Sequence, residues 1–261
     1  MDTAQTIRKI ASEYDQAVSK DKKIAQLDAA AKTAMEKYRA ASKIAERTGM
    51  TTSQVLISDL LELYPDGNIP EEVARDVARA ALEHNYKYVL EKALDAQDKM
   101  NEEAGVGLSP LAPDFDASRA DTVVEKLTAY DDISVHQSDI EKQIVSDSRK
   151  TVDDTMRVNA EAHQNAGMEV TVTRIYDGIG VHNRKDQCSW CLSRCGDDMT
   201  YQEAHNKGAF QRHPGCYCEI FYKTAKSIQR QMSWQNNTWK DVQDSEILRL
   251  RKAYGLNVWN G

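Results

Sequence analysis

Apolar residues recur at three- and four-residue steps over most of the first 165 positions, which is the pattern of amphipathic α-helices. A polar run at residues 19–22 either continues the first of these helices or marks a bend. Gly49 is a natural helix stop, and Thr51 or Thr52 could cap the next helix. The predicted helices span residues 3–47, about 52–63, 70–103 and 118–165.

Helix breakers gather at residues 104–118, where Gly105, Gly107, Pro110 and Pro113 lie close together. Glycine and proline at such density indicate a loop rather than a helix. We therefore expect an exposed linker inside a helical body that covers residues 1–166.

The pattern changes after Gly167, which is expected to end the last helix of the body. Residues 169–176 are β-branched with a period of two and predict a strand, as do residues 216–222. Residues 177–180 predict a turn, and residues 244–254 a final helix. The predicted fold is mainly α: a long helical N-terminal body, and then a small α+β cysteine-rich module at residues 167–261.

Composition fits a soluble globular protein, because 41% of the 261 residues are hydrophobic and 29% are charged. The mean hydropathy is −0.65, and no apolar stretch approaches the roughly 20 residues needed to cross a bilayer. We expect no membrane association. The first residues lack the apolar core of a signal peptide, so synthesis and folding in a reducing cytoplasm are expected.

Charge is distributed unevenly along the chain, whose formal net charge is −7. Residues 1–181 carry 22 basic and 33 acidic side chains, whereas residues 182–231 carry 8 basic and 5 acidic ones. The overall balance argues against a duplex-DNA-binding protein. Four basic residues in or near this segment could contact phosphate or form a solvated surface: Arg174, Arg184, Lys185 and Arg212.

All five cysteines of the chain fall within 31 residues near the C-terminus. A Cys-x2-Cys pair, Cys188 and Cys191, is followed later in the chain by a second cluster, in which His213 precedes Cys216 and Cys218. Short spacings of this kind supply the soft ligands that Zn²⁺ prefers in a tetrahedral structural site. The predicted metal ligands are four of Cys188, Cys191, His213, Cys216 and Cys218.

The same residues allow other interpretations. His213 could replace one sulfur as a ligand or orient the site from outside it, with Cys195 and His205 as spare candidates. Buried inert thiols, disulfides formed in an oxidising environment, and a catalytic or redox role also remain open. A catalytic zinc would need an open coordination position, whereas thiols are plentiful enough here to close it.

The run from Asp186 through Cys188 and Cys191, with His213-Pro-Gly-Cys216-Tyr-Cys218 after it, resembles the phage Mu F-like minor head protein family. Proteins of that family place this motif after a helical region and a short strand. The likeness covers about residues 168–223. The chain differs by having Cys195, and by having Tyr217 where arginine is common.

The resemblance implies a non-enzymatic minor capsid protein of a tailed phage or prophage, made in the bacterial cytoplasm and located in the virion. Its expected partners are the major capsid protein or the portal, with packaged DNA as a further contact and several copies in each particle. Two alternatives are an intracellular zinc-dependent nucleic-acid-binding protein and a zinc hydrolase. The hydrolase would use Glu203 or Glu219 as base, with His205 or His213 as ligand.

Overall fold

The structure is a computed structural model, and it describes residues 2–129, 133, 135–176 and 188–225. Within these residues the fold is mainly α, with a small sheet near the C-terminus, as the sequence predicts. The helices are α1 (Thr3–Lys20), α2 (Lys22–Ala30), α3 (Ala34–Leu63), α4 (Glu71–Ala104), α5 (Ser118–Thr128), α6 (Gln137–Asn165), α7 (Ser189–Leu192) and α8 (Tyr201–Lys207). The strands are β1 (Glu169–Ile175), β2 (Gly196–Thr200) and β3 (Glu219–Ala225). The turn and the helix predicted at 177–180 and 244–254 lie outside the described residues.

The helical stretch predicted at residues 3–47 is divided into α1, α2 and the start of α3, and the first division is the bend that the polar run at 19–22 left open. Asp21 ends α1 and caps α2, because its carboxylate accepts hydrogen bonds from the backbone N–H groups of Lys23 and Ile24. Thr33 and Glu36 form a reciprocal capping box at the start of α3. Local side-chain hydrogen bonds to the backbone therefore set these breaks.

Gly49 does not stop a helix, contrary to the sequence prediction, because α3 continues through it to Leu63. A Cβ atom at this position would lie 2.8 Å from Ser148 Oγ and 2.9 Å from Val145 Cα. The missing side chain lets α3 and α6 pack with their backbones close together. The glycine thus serves contact between helices rather than helix termination.

The helix predicted at residues 118–165 is also broken, into α5 and α6. Both helices pack against α4 and against each other, which one continuous helix could not do. Ile133, in the connection between them, is fully buried. Burial of the apolar faces of both helices therefore overrides the continuous periodicity of the sequence.

The predicted linker contains no helix or strand between α4 and α5, but it is fixed to the helices beside it. The side-chain amide of Asn159 both accepts from the N–H of Leu111 and donates to its carbonyl oxygen, each at 2.8 Å. The hydroxyl of Tyr86 donates to the carbonyl oxygen of Pro113. These contacts hold the segment along the surface of α4 and α6.

The three strands form an antiparallel sheet in the order β2-β1-β3. The strand predicted at residues 169–176 is β1, which lies in the centre. The strand predicted at 216–222 begins only at Glu219, so Cys216 and Cys218 precede the sheet. The sequence did not predict α7, β2 or α8, which are short and lack a clear hydrophobic period.

Two large hydrophobic clusters hold the described residues together. The distal core joins α1, α3, α4, α5 and α6, and it includes Leu56, Val77 and Leu127. The shared core joins α3, α4 and α6 to the sheet, and its members include Val152, Met156, Val172 and Tyr222. The shared core crosses the boundary drawn between residues 166 and 167, and the division into two domains stays a prediction.

None of the helices in the described part of the chain combines the length and the apolar character that a membrane span requires. This agrees with the hydropathy of the sequence. Instead, apolar side chains of the long helices are buried against other helices and the sheet, as in α6, where Ile140, Ile144 and Val152 are fully buried.

Candidate metal centre

The Cys-x2-Cys pair is positioned by the one-turn helix α7. Cys188 lies just before this helix, and its carbonyl oxygen accepts the N–H of Leu192 at 3.0 Å. The backbone N–H of Cys188 donates to the hydroxyl oxygen of Tyr176, at the end of β1, at 3.2 Å. A single helical turn brings residues three apart to the same side, so the side chains of Cys188 and Cys191 lie close together.

The second group of donors is positioned by a tight turn. The N–H of Cys216 donates to the carbonyl oxygen of His213 at 3.0 Å, and Gly215 has a φ of +76°. Proline at the second position and a left-handed glycine at the third are the residues that a type II turn requires. The sequence His213-Pro-Gly-Cys216 therefore reverses the direction of the chain, so that the side chains of His213 and Cys216 reach one site.

The structure brings all five predicted ligands together. Cys188, Cys191 and His213 have donor atoms within 4.8 Å of one another, as do Cys191, Cys216 and Cys218. Cys191 Sγ lies 3.0 Å from His213 Nε2 and 3.6 Å from Cys216 Sγ. Zinc–sulfur bonds of about 2.3 Å place two sulfurs of a tetrahedron roughly 3.8 Å apart, so this donor set fits a zinc ion.

His213 presents the nitrogen that a metal ligand needs. Its Nδ1 lies 2.8 Å from the carbonyl oxygen of Pro214, which can only accept a hydrogen bond, so Nδ1 carries the proton. Nε2 then keeps its lone pair, and it lies 3.3 Å from Cys188 Sγ. Trp190 meets the imidazole edge-on, with ring centroids 4.9 Å apart, and helps to fix its orientation.

The surroundings of the thiols lower the pKa of Cys216 and raise those of Cys191 and Cys218. A hydrogen bond with Cys218, assisted by the charges of Arg212 and Arg174, lowers the pKa of Cys216 to about 4. Burial and the negative charge of Cys216 raise the pKa of Cys191 to about 12. The pKa of Cys218 is also raised, because its thiol donates to Cys216 and is buried. None of the five cysteines is in a disulfide.

Three arginines surround the backbone at Cys216 to Cys218. Arg149, from α6, donates to the carbonyl oxygen of Cys216 at 3.1 Å. Arg212 donates to the carbonyl oxygen of Cys218 at 2.9 Å and forms a bidentate ion pair with Asp153 of α6. Arg174, from β1, donates to the sulfur of Cys216 at 3.4 Å. Hydrogen bonds thus attach the site to the helical body as well as to the sheet.

The sequence did not reveal this arginine network. Arg174 is 1% exposed and the side chain of Arg212 is also 1% exposed, so neither a phosphate contact nor a solvated surface describes them. Arg184 and Lys185 lie outside the described residues. One signal was present: Arg149 and Asp153 are four residues apart on the face of α6 that also carries Met156.

The remaining candidates are placed around the centre rather than in it. Cys195 packs against the cysteine cluster but belongs to neither group of donors. His205 lies on α8 with its ring near Tyr201. Glu203 caps α8 through Thr200, and Glu219 pairs with Arg39 at 3.1 Å. A catalytic role for either carboxylate stays a hypothesis.

Comparisons with known proteins do not identify the chain. A scan against protein-family models and searches of curated proteins and of solved structures found no match to it. The likeness to phage Mu F-like minor head proteins therefore rests on the cysteine and histidine motif alone. Function has to be inferred from the geometry of the metal centre together with that motif.

Proposed function

We propose that this chain is a non-enzymatic structural protein whose C-terminal module is folded around one zinc ion. Four of Cys188, Cys191, His213, Cys216 and Cys218 would bind the ion. The observation that carries the proposal is the convergence of donors from two segments: Cys191 Sγ lies 3.6 Å from Cys216 Sγ. Between them the chain forms β2 and α8, which expose much of their surface, so a metal link would supply part of their folding free energy.

A structural rather than catalytic ion is supported by the number and burial of the donors. Cys191, Cys216 and Cys218 are each less than 5% exposed. Five soft or borderline donors are available for the four positions of a tetrahedral zinc ion, which leaves none for water. Closed sites of this kind stabilise folds, whereas hydrolytic zinc keeps one position open.

We further propose that the protein belongs to a tailed-phage head, in contact with the major capsid protein or the portal. The motif of Cys188, Cys191, His213, Cys216 and Cys218 supports this role. The long helices would supply the contact surface, in several copies per particle. Contact with packaged DNA would depend on basic residues other than Arg174 and Arg212, since both are buried.

Metal analysis of the purified, reduced chain tests the first part of the proposal. We expect one equivalent of zinc, and four or five titratable thiols once the ion is removed by a chelator. Cys191→Ser should lose the zinc, because Cys191 belongs to both groups of donors, whereas the matched control Cys195→Ser should retain it. A chain that lacks zinc and titrates as disulfides would contradict the metal centre.

Mass spectrometry of purified phage particles tests the second part, which requires co-purification with coat and portal proteins.

A further inference from the structure

Arg174 is an unusually placed cation. Its side chain rises from the central strand β1, is 1% exposed and donates to the carbonyl oxygens of Ala209 and Gln211 at 2.7 and 2.6 Å. Its other terminal nitrogen points at the sulfur of Cys216, 3.4 Å away. Its Nε is buried without a hydrogen-bond partner. The guanidinium is therefore removed from water and directed at the candidate metal centre.

The carboxylates near Arg174 do not balance its charge. In the described part of the chain no ion pair is formed by Arg174, and the fully buried carboxylate of the network, Asp153, is engaged bidentately by Arg212. Arg149 lies 3.9 Å from Glu46, and that carboxylate is one-third exposed. Among the residues that the structure describes, three buried guanidiniums thus face one fully buried carboxylate.

A buried cation is strongly unfavourable unless an anion or a metal-bound anion lies beside it. The group at which the arginines converge is Cys216: Arg174 and Arg212 approach its sulfur at 3.4 and 3.9 Å. Neutral thiols would leave Arg174 without an anion among the described residues. Of the described groups in contact with Arg174, Cys216 is the one that can supply the negative charge.

We infer that the proposed metal centre is anionic, that Cys216 is one of its ligands and that Arg174 is its buried counter-ion. The inference rests on the proposed zinc centre and specifies its charge. Zinc bound by two thiolates and two neutral groups would be electrically neutral. A third thiolate gives one net negative charge and a fourth gives two, which can offset the excess of guanidinium charge. Arg174 is a positioning residue that acts through Cys216.

X-ray absorption at the zinc edge of the wild-type chain tests the ligand set on which the inference rests. It should show three or four sulfur atoms at about 2.3 Å. Two sulfurs or fewer would contradict the proposed ligand set, because any four of the five donors include at least three cysteines. A chain that binds zinc through three or four sulfurs and keeps its affinity in Arg174→Gln would overturn the inference alone, so the two failures are distinguishable.

Substitution of Arg174 tests its role as counter-ion. By competition with a chelator, Arg174→Gln should bind zinc about 10- to 100-fold more weakly than wild type, the range seen when groups supporting metal ligands are removed. Arg174→Lys keeps the charge and should lose less affinity. The control Arg157→Gln, at a partly exposed position on α6, should bind zinc like wild type.

Two results would contradict the counter-ion role. One is equal zinc affinity for Arg174→Gln and wild type. The other is an equal loss for Arg174→Gln and Arg174→Lys, which would point to hydrogen-bond geometry rather than charge. If Arg174→Gln does not fold, Arg174→Lys decides the question: it should keep zinc within about 10-fold of wild type, and a folded Arg174→Lys chain that loses zinc would contradict the role of charge.

Discussion

His163 is a polar residue held inside the shared core by a short hydrogen-bonded chain. It is 1% exposed, and its Nδ1 lies 3.3 Å from the hydroxyl of Tyr222. That hydroxyl donates to the side-chain oxygen of Gln97 at 2.8 Å, and Tyr38 donates to the same oxygen. Burial lowers the pKa of His163 to about 4, so its imidazole is neutral in the folded protein at neutral pH.

The low pKa of His163 predicts an acid-dependent loss of stability. The unfolded chain binds a proton near pH 6.5 and the folded chain only near 4, so the stability is fully present above 6.5 and falls as the pH drops towards 4. The contribution amounts to about 3 kcal/mol. The His163→Gln variant cannot titrate at this position, so this acid-dependent loss of stability should be absent from it.

Urea unfolding of both proteins between pH 7 and 4 measures this effect. Carboxylates and metal ligands titrate in both proteins, so they cancel in the difference between them. A difference that stays constant across this range would show that His163 is not the group responsible.

At the scale of elements, the contact between α3 and α6 depends on one glycine. Alanine normally favours a helix over glycine by about 1 kcal/mol. At Gly49, however, the added Cβ would meet the backbone of Val145 and the hydroxyl of Ser148. That hydroxyl donates to the carbonyl oxygen of Ile144 and accepts from Asn85, so it is not free to move away.

We therefore expect Gly49→Ala to lower the free energy of unfolding by about 1–2 kcal/mol, since the cost of overpacking exceeds the gain in helix propensity. Gly107→Ala is the matched control, because a Cβ there meets nothing within 4 Å. Its stability should change by less than about 0.5 kcal/mol. Equal urea midpoints for Gly49→Ala and the control would show that α3 and α6 separate easily.

At the scale of the whole molecule, hydrogen bonds and the shared core join the candidate metal centre to the helical body. Arg149 and Asp153 of α6 hold the segment at Cys216 to Cys218, directly or through Arg212, and the sheet covers the shared core. The division that the sequence predicts, between a helical body at residues 1–166 and a module at 167–261, would confine the effect of losing a cysteine to the module. The shared core predicts a wider effect.

Hydrogen exchange on Cys216→Ser tests this wider effect. We expect protection to fall in residues 169–176 and 188–225. It should also fall along the face of α6 that carries Val152 and Met156, because these two side chains lose their packing contacts with the sheet. The distal core around Leu56 should keep its protection. Cys195→Ser, outside both groups of donors, should resemble wild type. Unchanged exchange on α6 would instead support two independent domains.

Much of the fold could be predicted because the signals are local. The apolar period of α4, the breakers before α5 and the β-branched run of β1 each depend on neighbouring residues. The candidate donors were also readable, because Cys-x2-Cys and His-Pro-Gly-Cys are turns that bring donors together over a few residues. The break at Asp21 is the bend that the polar run at residues 19–22 left open, whereas the breaks at Thr33 and before α6 were missed, since capping and burial compete with a period that looks continuous.

By itself, the sequence determined the helical class of this protein, its cysteine-based chemistry and the turns that present the donors, because each arises from short-range geometry. Only the tertiary structure decided that Gly49 joins two helices and that Arg149, Arg174 and Arg212 converge on Cys216. Contacts between residues far apart in the chain leave no periodic trace in the sequence. The charge that we infer for the proposed metal centre is therefore a consequence of packing, whereas its candidate ligands come from the motif.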